Sequence, residues 1–386
     1  MNNKIAIIAV AYNRIDSLSR LLSSLEKAWY GEGRPTLIIS IDKSKTDVVE
    51  RFADDYHWPY GGKIVKKHKQ NMGLRAHIMS LGQWFEQFDT LVVLEDDLVV
   101  SPAFYNYTLQ ASDKYCNNPQ IAGISLYSFA TNYITGTPFY PVINEYDGYF
   151  MNCAMSWGEV WMKNQWHEFY QWYLEHQDFG NEPHLPESLY QWEKSWLKYH
   201  TRYCIECEKY FLYPYVALTT NFSDPGTHNS GFQNTTYQLV LQQGIKTYSF
   251  PDDEAHAVCY DGFFENKAIY AALCLTEQEC CVDLYGAKKN RMKRKYWLTA
   301  DIVDLPIEKS YGIAYKPLEQ NIINNIEGSG IFLYEANGIS TNKIKHNSNI
   351  LLYRYNIGDF EVFLRSYGFK NILKIYIAKI KSKLWK

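Results

Sequence analysis

The sequence has 386 residues, enough for two or three domains, each with its own apolar core. Hydrophobic residues make up 46% and charged residues 21% of the chain, which excludes a largely disordered, collagen-like or coiled-coil protein. The formal net charge of −3 argues against a dedicated nucleic-acid-binding protein, because such proteins carry a basic excess. No apolar run reaches the roughly 20 residues that cross a bilayer, and no signal-peptide pattern is found. We therefore expect no spanning segment.

The cysteines give no sign of a disulfide or zinc framework. Cys204 and Cys207 form one Cys-x-x-Cys pair, but no second pair stands at the spacing of a zinc site. We expect reduced and mostly buried thiols, as in a cytoplasmic protein.

The first hundred residues alternate between short apolar runs and amphipathic segments. The predicted strands are 5–10, 36–41, 63–65 and 90–94. The predicted helices contain the leucines of residues 18–25, with Asp16 or Ser17 as N-cap, and cover 44–56 and 75–85. Strands that alternate with helices of roughly 10 to 13 residues predict a mainly parallel sheet with helices on both faces. The predicted fold class is therefore α/β.

Polar side chains follow each of these strands. They lie at positions 12–14, 42–44, 67–71 and 95–97. The carboxyl ends of parallel strands meet at one edge of the sheet, which is where open sheets bind ligands. No glycine-rich dinucleotide fingerprint and no phosphate-binding loop follows the first strand, which counts against a nicotinamide enzyme and a phosphate-loop ATPase.

Three acids, Glu95, Asp96 and Asp97, directly follow five apolar residues. Adjacent acids at the end of a buried strand repel one another unless a cation is present. Mg²⁺ or Mn²⁺ typically binds one or two carboxylates together with phosphate oxygens, so a nucleotide diphosphate would complete the ligand set. A solvated acidic loop is the alternative, but the position after an apolar strand favours a metal site.

Two segments between residues 122 and 250 carry further candidates. Glu193 lies between Trp192 and Trp196, where partial burial would raise its pKa toward that of a general base; an exposed helical glutamate fits the spacing equally well. Residues 223–231 combine two glycines and a proline with polar side chains, which suits a flexible lid over a ligand but also an ordinary surface turn.

The residue composition of the chain changes after residue 250. We expect a smaller mixed domain of unknown role over 251–358 and a basic amphipathic helix over 359–386. Apolar side chains from Phe369 to Leu384 fall on one helical face, and six lysines accompany them without any acid. Such a helix is typical of an anchor on an anionic membrane surface, although it could instead dock on the protein itself.

Several motifs stand in a fixed order along the first 233 residues. Tyr12-Asn13-Arg14 follows one strand, Asp42 ends the next, and Glu-Asp-Asp-Leu occupies 95–98. This series resembles the nucleotide-sugar-dependent glycosyltransferases of the GT-A fold, and most closely the N-acetylglucosaminyltransferase I family, whose metal motif is Glu-Asp-Asp-Leu. The resemblance implies a GT-A domain over 1–250, with a nucleotide-sugar-binding half at 1–121 and an acceptor and catalytic half at 122–250.

The resemblance also implies a UDP-sugar donor, Mn²⁺ or Mg²⁺, and roles for individual residues. Asp97 would ligate the metal, Asp96 would hold the ribose, Glu95 would face the donor sugar, Asp42 would accept a hydrogen bond from the uracil, and Arg14 and His68 would line the nucleotide. Glu193 would be the catalytic base, in a Trp-Glu-Lys-Ser-Trp run where the family has Trp-Asp-Asp-Trp. The segment with Gly226, Thr227, His228, Asn229 and Gly231 matches the loop that closes over the donor in the family.

One base and no obvious nucleophile predict an inverting transfer of an N-acetylhexosamine or hexose. The expected acceptor is a glycan or a lipid-linked oligosaccharide, in surface-polysaccharide biosynthesis by a cytoplasmic enzyme held at the inner face of the cell membrane. Two other classes stay open. A sugar nucleotidyltransferase usually shows a glycine-rich basic loop, whereas residues 11–17 contain no glycine and one arginine. A carbohydrate-binding module or a membrane-associated scaffold would not require the three acids. Nucleic acid is not an expected partner.

Overall fold

The computed structural model describes residues 4–180, 182–224, 237–288, 293–338, 360–374 and 377. These residues form two compact units. The first comprises 4–128, 143–223 and 237–264, and the second comprises 129–142, residue 224 and the described residues beyond 264. The domain boundaries expected near residues 121, 250 and 358 stay predictions.

The first unit alternates strands and helices along its N-terminal half. Its strands are β1 (Ile5–Ala11), β2 (Thr36–Ile41), β3 (Lys63–Lys67), β4 (Thr90–Glu95), β5 (Leu98–Val100), β6 (Ile121–Ser125), β7 (Gly148–Met151), β8 (Glu159–Met162), β9 (Tyr210–Pro214), β10 (Thr219–Asn221) and β11 (Cys259–Tyr260). Its helices are α1 (Ile15–Glu26), α2 (Val48–Asp55), α3 (Leu74–Ser80), α4 (Phe104–Tyr115), α5 (Lys163–Glu175), α6 (Ser188–Gln191) and α7 (Leu197–Glu206), and a 3₁₀ helix covers Leu81–Glu86.

Nine of these strands form one sheet, in the order β11-β7-β9-β6-β8-β4-β1-β2-β3. The pairings of β1 with β2, β1 with β4 and β2 with β3 are parallel. β8 is antiparallel to both β4 and β6, and β7 is antiparallel to β9. The pairings of β6 with β9 and β7 with β11 are again parallel. The sheet is therefore mainly parallel, and the predicted α/β class is confirmed.

The apolar core explains why the strands read as continuous apolar runs. All seven residues of β1 are buried, as expected for a strand covered on both faces. The leucines of α1 at positions 18, 21, 22 and 25 are buried in the same core, as their helical spacing predicts. In β4, five buried residues are followed by the partly exposed Glu95. The core thus ends where the acids begin.

Helix boundaries differ in places from the sequence prediction. α1 begins at Ile15 with Arg14 at its N-cap, so the expected caps Asp16 and Ser17 lie in its first turn. The Arg14 side chain makes no capping hydrogen bond, because a guanidinium has no acceptor for the backbone N–H groups of the first turn. The helix expected over 75–85 is α3 followed by the 3₁₀ helix, and the one expected over 44–56 shortens to α2.

Aromatic side chains fill much of the interior. The largest fully buried side chains are all aromatic, with Trp161, Trp196 and Tyr107 among them. The rings of Trp161 and Trp166 stack with centroids 4.0 Å apart. Core packing therefore accounts for much of the 16% aromatic content, as the sequence favours for most of these residues.

The second unit contains a four-stranded mixed sheet. Its strands are β12 (Cys280–Val282), β13 (Tyr296–Thr299), β14 (Ile307–Tyr311) and β15 (Ile331–Glu335), in the order β12-β13-β15-β14. β12 is parallel to β13, whereas β15 is antiparallel to β13 and β14. The helices α8 (Ala268–Leu273) and α9 (Glu319–Ile323) belong to this unit, whose core includes Val282, Leu298 and Ile331. The predicted smaller mixed region is confirmed.

The C-terminal helix is interrupted. A helix covers Phe360–Tyr367, Gly368 follows with φ +65°, and residues 369–374 are helical again. The helix expected over 359–386 is therefore interrupted at Gly368 within the described residues, and its extent beyond them stays a prediction. A left-handed backbone at Gly368 ends the first helix, so the apolar face from Phe369 belongs to a separate segment.

All eight cysteines are free, and five of them are buried, as the sequence predicts. Among the described residues, no helix combines the length and the apolar character needed to cross a membrane.

Candidate active site

The three acids lie at the carboxyl end of β4. Glu95 is the last residue of that strand, Asp96 is buried and Asp97 is partly exposed. β1 pairs with β4 in parallel, with Val10 opposite Glu95. Because both strands end at the same edge, Arg14, three residues after β1, comes to lie beside the acids.

The Arg14 guanidinium bridges the two aspartates. Its Nη2 forms an ion pair with Asp96 Oδ1 and lies 3.2 Å from Asp97 Oδ2, and its Nε donates to Asp96 Oδ2 at 3.4 Å. Burial tends to lower the pKa of Arg14, but the two carboxylates more than offset this and raise it above the ordinary value. A fixed positive charge therefore partly neutralises the cluster.

Glu95 lies where its charged form is disfavoured. Its pKa is raised to about 8, first by burial and then by the neighbouring charges of Asp97 and Asp96. Arg14 and a hydrogen bond from Ser156 act in the opposite direction. Burial and the two aspartates thus outweigh the guanidinium, and the neutral form of Glu95 is favoured at neutral pH.

The donor chemistry of this cluster fits a hard divalent cation. Mg²⁺ and Mn²⁺ prefer oxygen ligands, and Mg²⁺ commonly takes one or two protein carboxylates and completes its shell with water and phosphate oxygens. Across the described ranges, no group of three or more His, Cys, Asp or Glu side chains forms a complete metal site. Asp96 and Asp97 could therefore hold a cation that brings phosphate ligands with it.

Asp42 lies at the same edge, after β2, and is buried. Its Oδ1 accepts hydrogen bonds from the backbone N–H groups of Lys43 and Met72, both at 2.8 Å, and its Oδ2 accepts from Gly73 N–H at 3.0 Å. Gly73 has φ +74° and directly precedes α3. The carboxylate therefore fixes the turn that leads into α3.

His68 follows β3 and is partly buried. Its ring meets the ring of His77 edge-on, with centroids 4.8 Å apart, and His77 Nε2 lies 2.7 Å from Ser40 Oγ. Burial lowers the pKa of His68, although Asp42 opposes this effect, and burial lowers the pKa of His77 to about 4. The His77 ring is therefore neutral at neutral pH.

Glu193 is exposed on the turn between α6 and α7, so of the two alternatives that the spacing left open, partial burial and exposure, the structure has the exposed one. The turn is nevertheless held in place. Arg75 of α3 donates to the Glu193 carbonyl and, at 3.3 Å, to Tyr199 Oη. Because α3 begins next to Gly73, which is bound to Asp42, this contact ties the Glu193 turn to the edge that carries the other candidates.

The predicted donor-closing loop is not among the described residues, but the chain that enters it is. The loop residues concerned are Gly226, Thr227, His228, Asn229 and Gly231. β10 runs antiparallel to β5 with Asn221 opposite Leu98, and the Phe222 N–H donates to the Asp97 carbonyl at 2.9 Å. The segment just before the loop therefore lies beside the candidate metal ligand.

The sequence analysis did not identify two cations next to the Glu193 turn, Arg75 and Lys198. Lys198 lies in α7, and its Nζ is 4.6 Å from the centroid of the Phe179 ring. The two cations are far apart in the chain and belong to different helices, so no local pattern marks them. Only covariation between the two positions could have indicated their proximity.

Comparisons with known proteins find only distant likenesses. No family model and no curated protein matches the chain. Solved structures similar to it include the mannosyltransferase PcManGT from Pyrobaculum calidifontis in complex with GDP-Man and Mn²⁺ (11% identity, 59% of each chain, TM-score 0.35). Two others are GalNAc-T7 with UDP, GalNAc and Mn²⁺ (13% identity, 55% of this chain and 42% of that one, TM-score 0.38) and S. aureus TarS 1-349 with UDP-GlcNAc (12%, 59% and 61%, TM-score 0.39).

The chain spans less than two thirds of each of these three structures. Their TM-scores lie below 0.5, which is too low to assign an activity or a substrate to this chain. What the site can do is therefore argued from its own residues.

Proposed function

We propose that the chain is a metal-dependent inverting glycosyltransferase of the GT-A type, which moves an N-acetylhexosamine or hexose from a UDP-sugar to a glycan or lipid-linked acceptor. The observation that supports this most directly is the cluster at the end of β4. There Arg14 bridges Asp96 and Asp97, and a third acid, Glu95, directly precedes them at the end of the strand. A divalent cation with a bound diphosphate would satisfy such a cluster.

On the donor side, Asp97 would hold the cation, because it is the more exposed aspartate and has the longer contact with Arg14. When bound, Mn²⁺ or Mg²⁺ would offset the negative charge of the leaving diphosphate. Asp96 would contact the ribose and Glu95 the donor sugar, and Arg14 would line the nucleotide. These assignments place the whole donor-phosphate region at the carboxyl ends of β1 and β4.

Asp42 and His68 would contact the nucleoside. Both carboxylate oxygens of Asp42 already accept backbone N–H groups, so Asp42 would enter the site in a fixed orientation. Its remaining lone pairs can accept a further hydrogen bond, as from the uracil N–H. His68, whose pKa is lowered by burial, would offer a neutral ring to the nucleotide.

On the acceptor side, Glu193 would be the general base. Its exposed carboxylate is accessible to an acceptor hydroxyl, and Arg75 holds the turn that carries it. Glu193 would take the proton as the acceptor oxygen bonds to the anomeric carbon and the bond from that carbon to the diphosphate oxygen breaks. A single displacement of this kind inverts the anomeric configuration.

Turnover tests the proposal. The protein is incubated with a panel of UDP-sugars and Mn²⁺, with and without candidate glycan acceptors, and released UDP is measured. We expect release of UDP from one or a few donors, loss of this release on chelation of the metal, and a product of inverted configuration by NMR.

A product that keeps the donor configuration would contradict single displacement. Metal-independent binding of sugar polymers without UDP release would instead indicate a carbohydrate-binding module, and pyrophosphate release from UTP and a sugar phosphate would indicate a nucleotidyltransferase.

We further propose that the C-terminal segment attaches the enzyme to the inner face of the cell membrane, where it would act in surface-polysaccharide biosynthesis. Phe369, Leu373 and Ile377 stand four residues apart, on one helical face, and are 73%, 45% and 42% exposed. Lys370 and Lys374 are exposed beside them. An exposed apolar face flanked by lysines suits the boundary between acyl chains and anionic headgroups.

Removing residues 369–386 is expected to abolish binding to vesicles that contain phosphatidylglycerol. Each lysine near such a surface contributes about 1 kcal/mol, so Lys370→Glu/Lys374→Glu alone should weaken binding by at least about tenfold. Vesicle sedimentation at low and high salt measures both effects, and pure phosphatidylcholine vesicles are the control. An unchanged membrane-bound fraction after the truncation would refute this attachment.

A further inference from the structure

Lys198 is a mostly buried lysine that forms no ion pair with another described residue. Its side chain lies in α7 and the residue is only 7% exposed. Within the described part of the chain its ammonium forms neither a hydrogen bond nor an ion pair; its nearest described contacts are the faces of Phe179 and Tyr199, 4.6 Å and 5.4 Å from Nζ to the ring centroids. Glu193 is the acid whose charge acts on Lys198, but no ion pair joins the two side chains. The ammonium therefore has hydrogen-bond donors free for a further anion.

Arg75 supplies a second cation at the same place. Its Cζ lies 4.9 Å from the centroid of the Tyr199 ring, so both cations contact one aromatic side chain. Arg75 donates to Tyr199 Oη and to the Glu193 carbonyl, but its Nε is buried without an acceptor in the described residues. Two like charges at one ring repel each other: burial and then Arg75 lower the pKa of Lys198, and Glu193 opposes this only in part.

We propose that Arg75 and Lys198 form a binding site for a phosphate group. Two cations match the charge of a phosphate monoester, about −1.5 to −2 at neutral pH, better than the single charge of a carboxylate. A guanidinium and an ammonium are also the usual donors to phosphate oxygens. A bound phosphate would supply the acceptor that Arg75 Nε and Lys198 Nζ lack.

The neighbouring Glu193 turn indicates what would carry the phosphate. Arg75 holds the carbonyl of the residue that would act as base, so a phosphate here would lie close to the attacking hydroxyl. This step rests on the proposed function, in which Glu193 deprotonates the acceptor. We therefore infer that the acceptor is phosphorylated. The phosphate could belong to a soluble glycan or to a lipid carrier, and both present the same oxyanion.

Binding of inorganic phosphate tests the site. It is titrated calorimetrically, at constant ionic strength, into the full chain and into Lys198→Met, Arg75→Gln and the control Arg202→Gln. Arg202 also lies against the Phe179 ring, at 5.4 Å, but it is already paired with Glu206. We expect saturable binding that weakens about tenfold or more in the first two variants and changes less than about twofold in the control. No saturable binding, or equal binding in Lys198→Met, would overturn the inference.

Thermal unfolding separates a binding role from a packing role. Methionine keeps the unbranched apolar chain against Phe179 and removes an uncompensated buried charge, so Lys198→Met should unfold at a higher temperature than the native protein when no phosphate is present. It should also lose the rise in midpoint that phosphate gives the native protein. A lysine that only packs would give the opposite result, a lower midpoint with an unchanged response to phosphate.

Two further measurements identify the molecule that carries the phosphate and test the phosphate site separately from the proposed function. If Lys198→Met also reduces binding to phosphatidylcholine vesicles that contain phosphatidic acid, the phosphate is lipid-borne; if only binding of inorganic phosphate falls, it belongs to a soluble acceptor. Titration of the native protein with UDP and Mn²⁺ reports on the proposed function by itself. Phosphate binding without UDP binding would leave the site and remove its role as an acceptor site, whereas UDP binding without phosphate binding would overturn this inference alone.

Discussion

Asp97→Asn is expected to lower the affinity for UDP in the presence of Mn²⁺ by about a hundredfold or more. Asparagine preserves the shape of the side chain but removes the charge that would hold the cation, and loss of even an outer-shell partner of a metal ligand commonly costs 10- to 100-fold, so about a hundredfold is a lower bound. The substitution also removes the contact of 3.2 Å to Arg14. Affinity without metal should change little. Calorimetric titration with and without Mn²⁺ measures both values.

Asp89→Asn is the matched control. Asp89 directly precedes β4, at the opposite end of the strand from Asp97, and accepts a hydrogen bond from the Lys4 backbone N–H at 3.0 Å. It carries the same charge next to the same strand but lies away from the proposed site, so UDP affinity should be unchanged. Equal affinities for the native protein and Asp97→Asn would exclude Asp97 as the metal ligand.

His200→Leu is expected to destabilise the first unit by about 3–5 kcal/mol, because it leaves the Glu159 carboxylate buried without its partner. His200 Nδ1 lies 3.0 Å from Glu159 Oε1, and both side chains are fully buried. Burial raises the pKa of Glu159, and His200 opposes this rise. Glu159 faces Val93 across the β8–β4 pairing, two residues before Glu95, so the pair supports the strand that carries the acids.

The double variant Glu159→Leu/His200→Leu separates charge from packing. It removes both members of the pair and should recover most of the lost stability, to within about 1–2 kcal/mol of the native protein, because no buried charge is left alone. Urea unfolding followed by tryptophan fluorescence measures the free energy of unfolding. If the losses of stability in Glu159→Leu and His200→Leu add up to the loss in the double variant, the two side chains contribute by packing alone.

Local patterns were enough to predict the N-terminal half of the sheet. Apolar runs and helical spacings in the first hundred residues correspond to β1–β4 and α1–α3, and residues after parallel strands necessarily share an edge. That rule predicts that Arg14 lies near Asp96 and Asp97. The α/β class could be predicted because each strand and helix is specified by residues that are close together in the chain.

Features that depend on distant residues could not be predicted. The exposure of Glu193 depends on how its turn leaves α6, and flanking tryptophans do not determine that. The buried pair of Glu159 and His200 joins β8 to α7, and Arg75 meets Lys198 only because α3 packs near α7. No sequence window contains both members of either pair, so periodicity and spacing do not report them.

The most direct test of the proposed function is a titration of the native protein with UDP, first with Mn²⁺ and then with a chelator. The cluster of Arg14, Glu95, Asp96 and Asp97 predicts saturable binding with Mn²⁺ that weakens strongly when the metal is removed. Binding of UDP that is indifferent to the metal, or no binding at all, would contradict a metal-dependent nucleotide-sugar site at the end of β4.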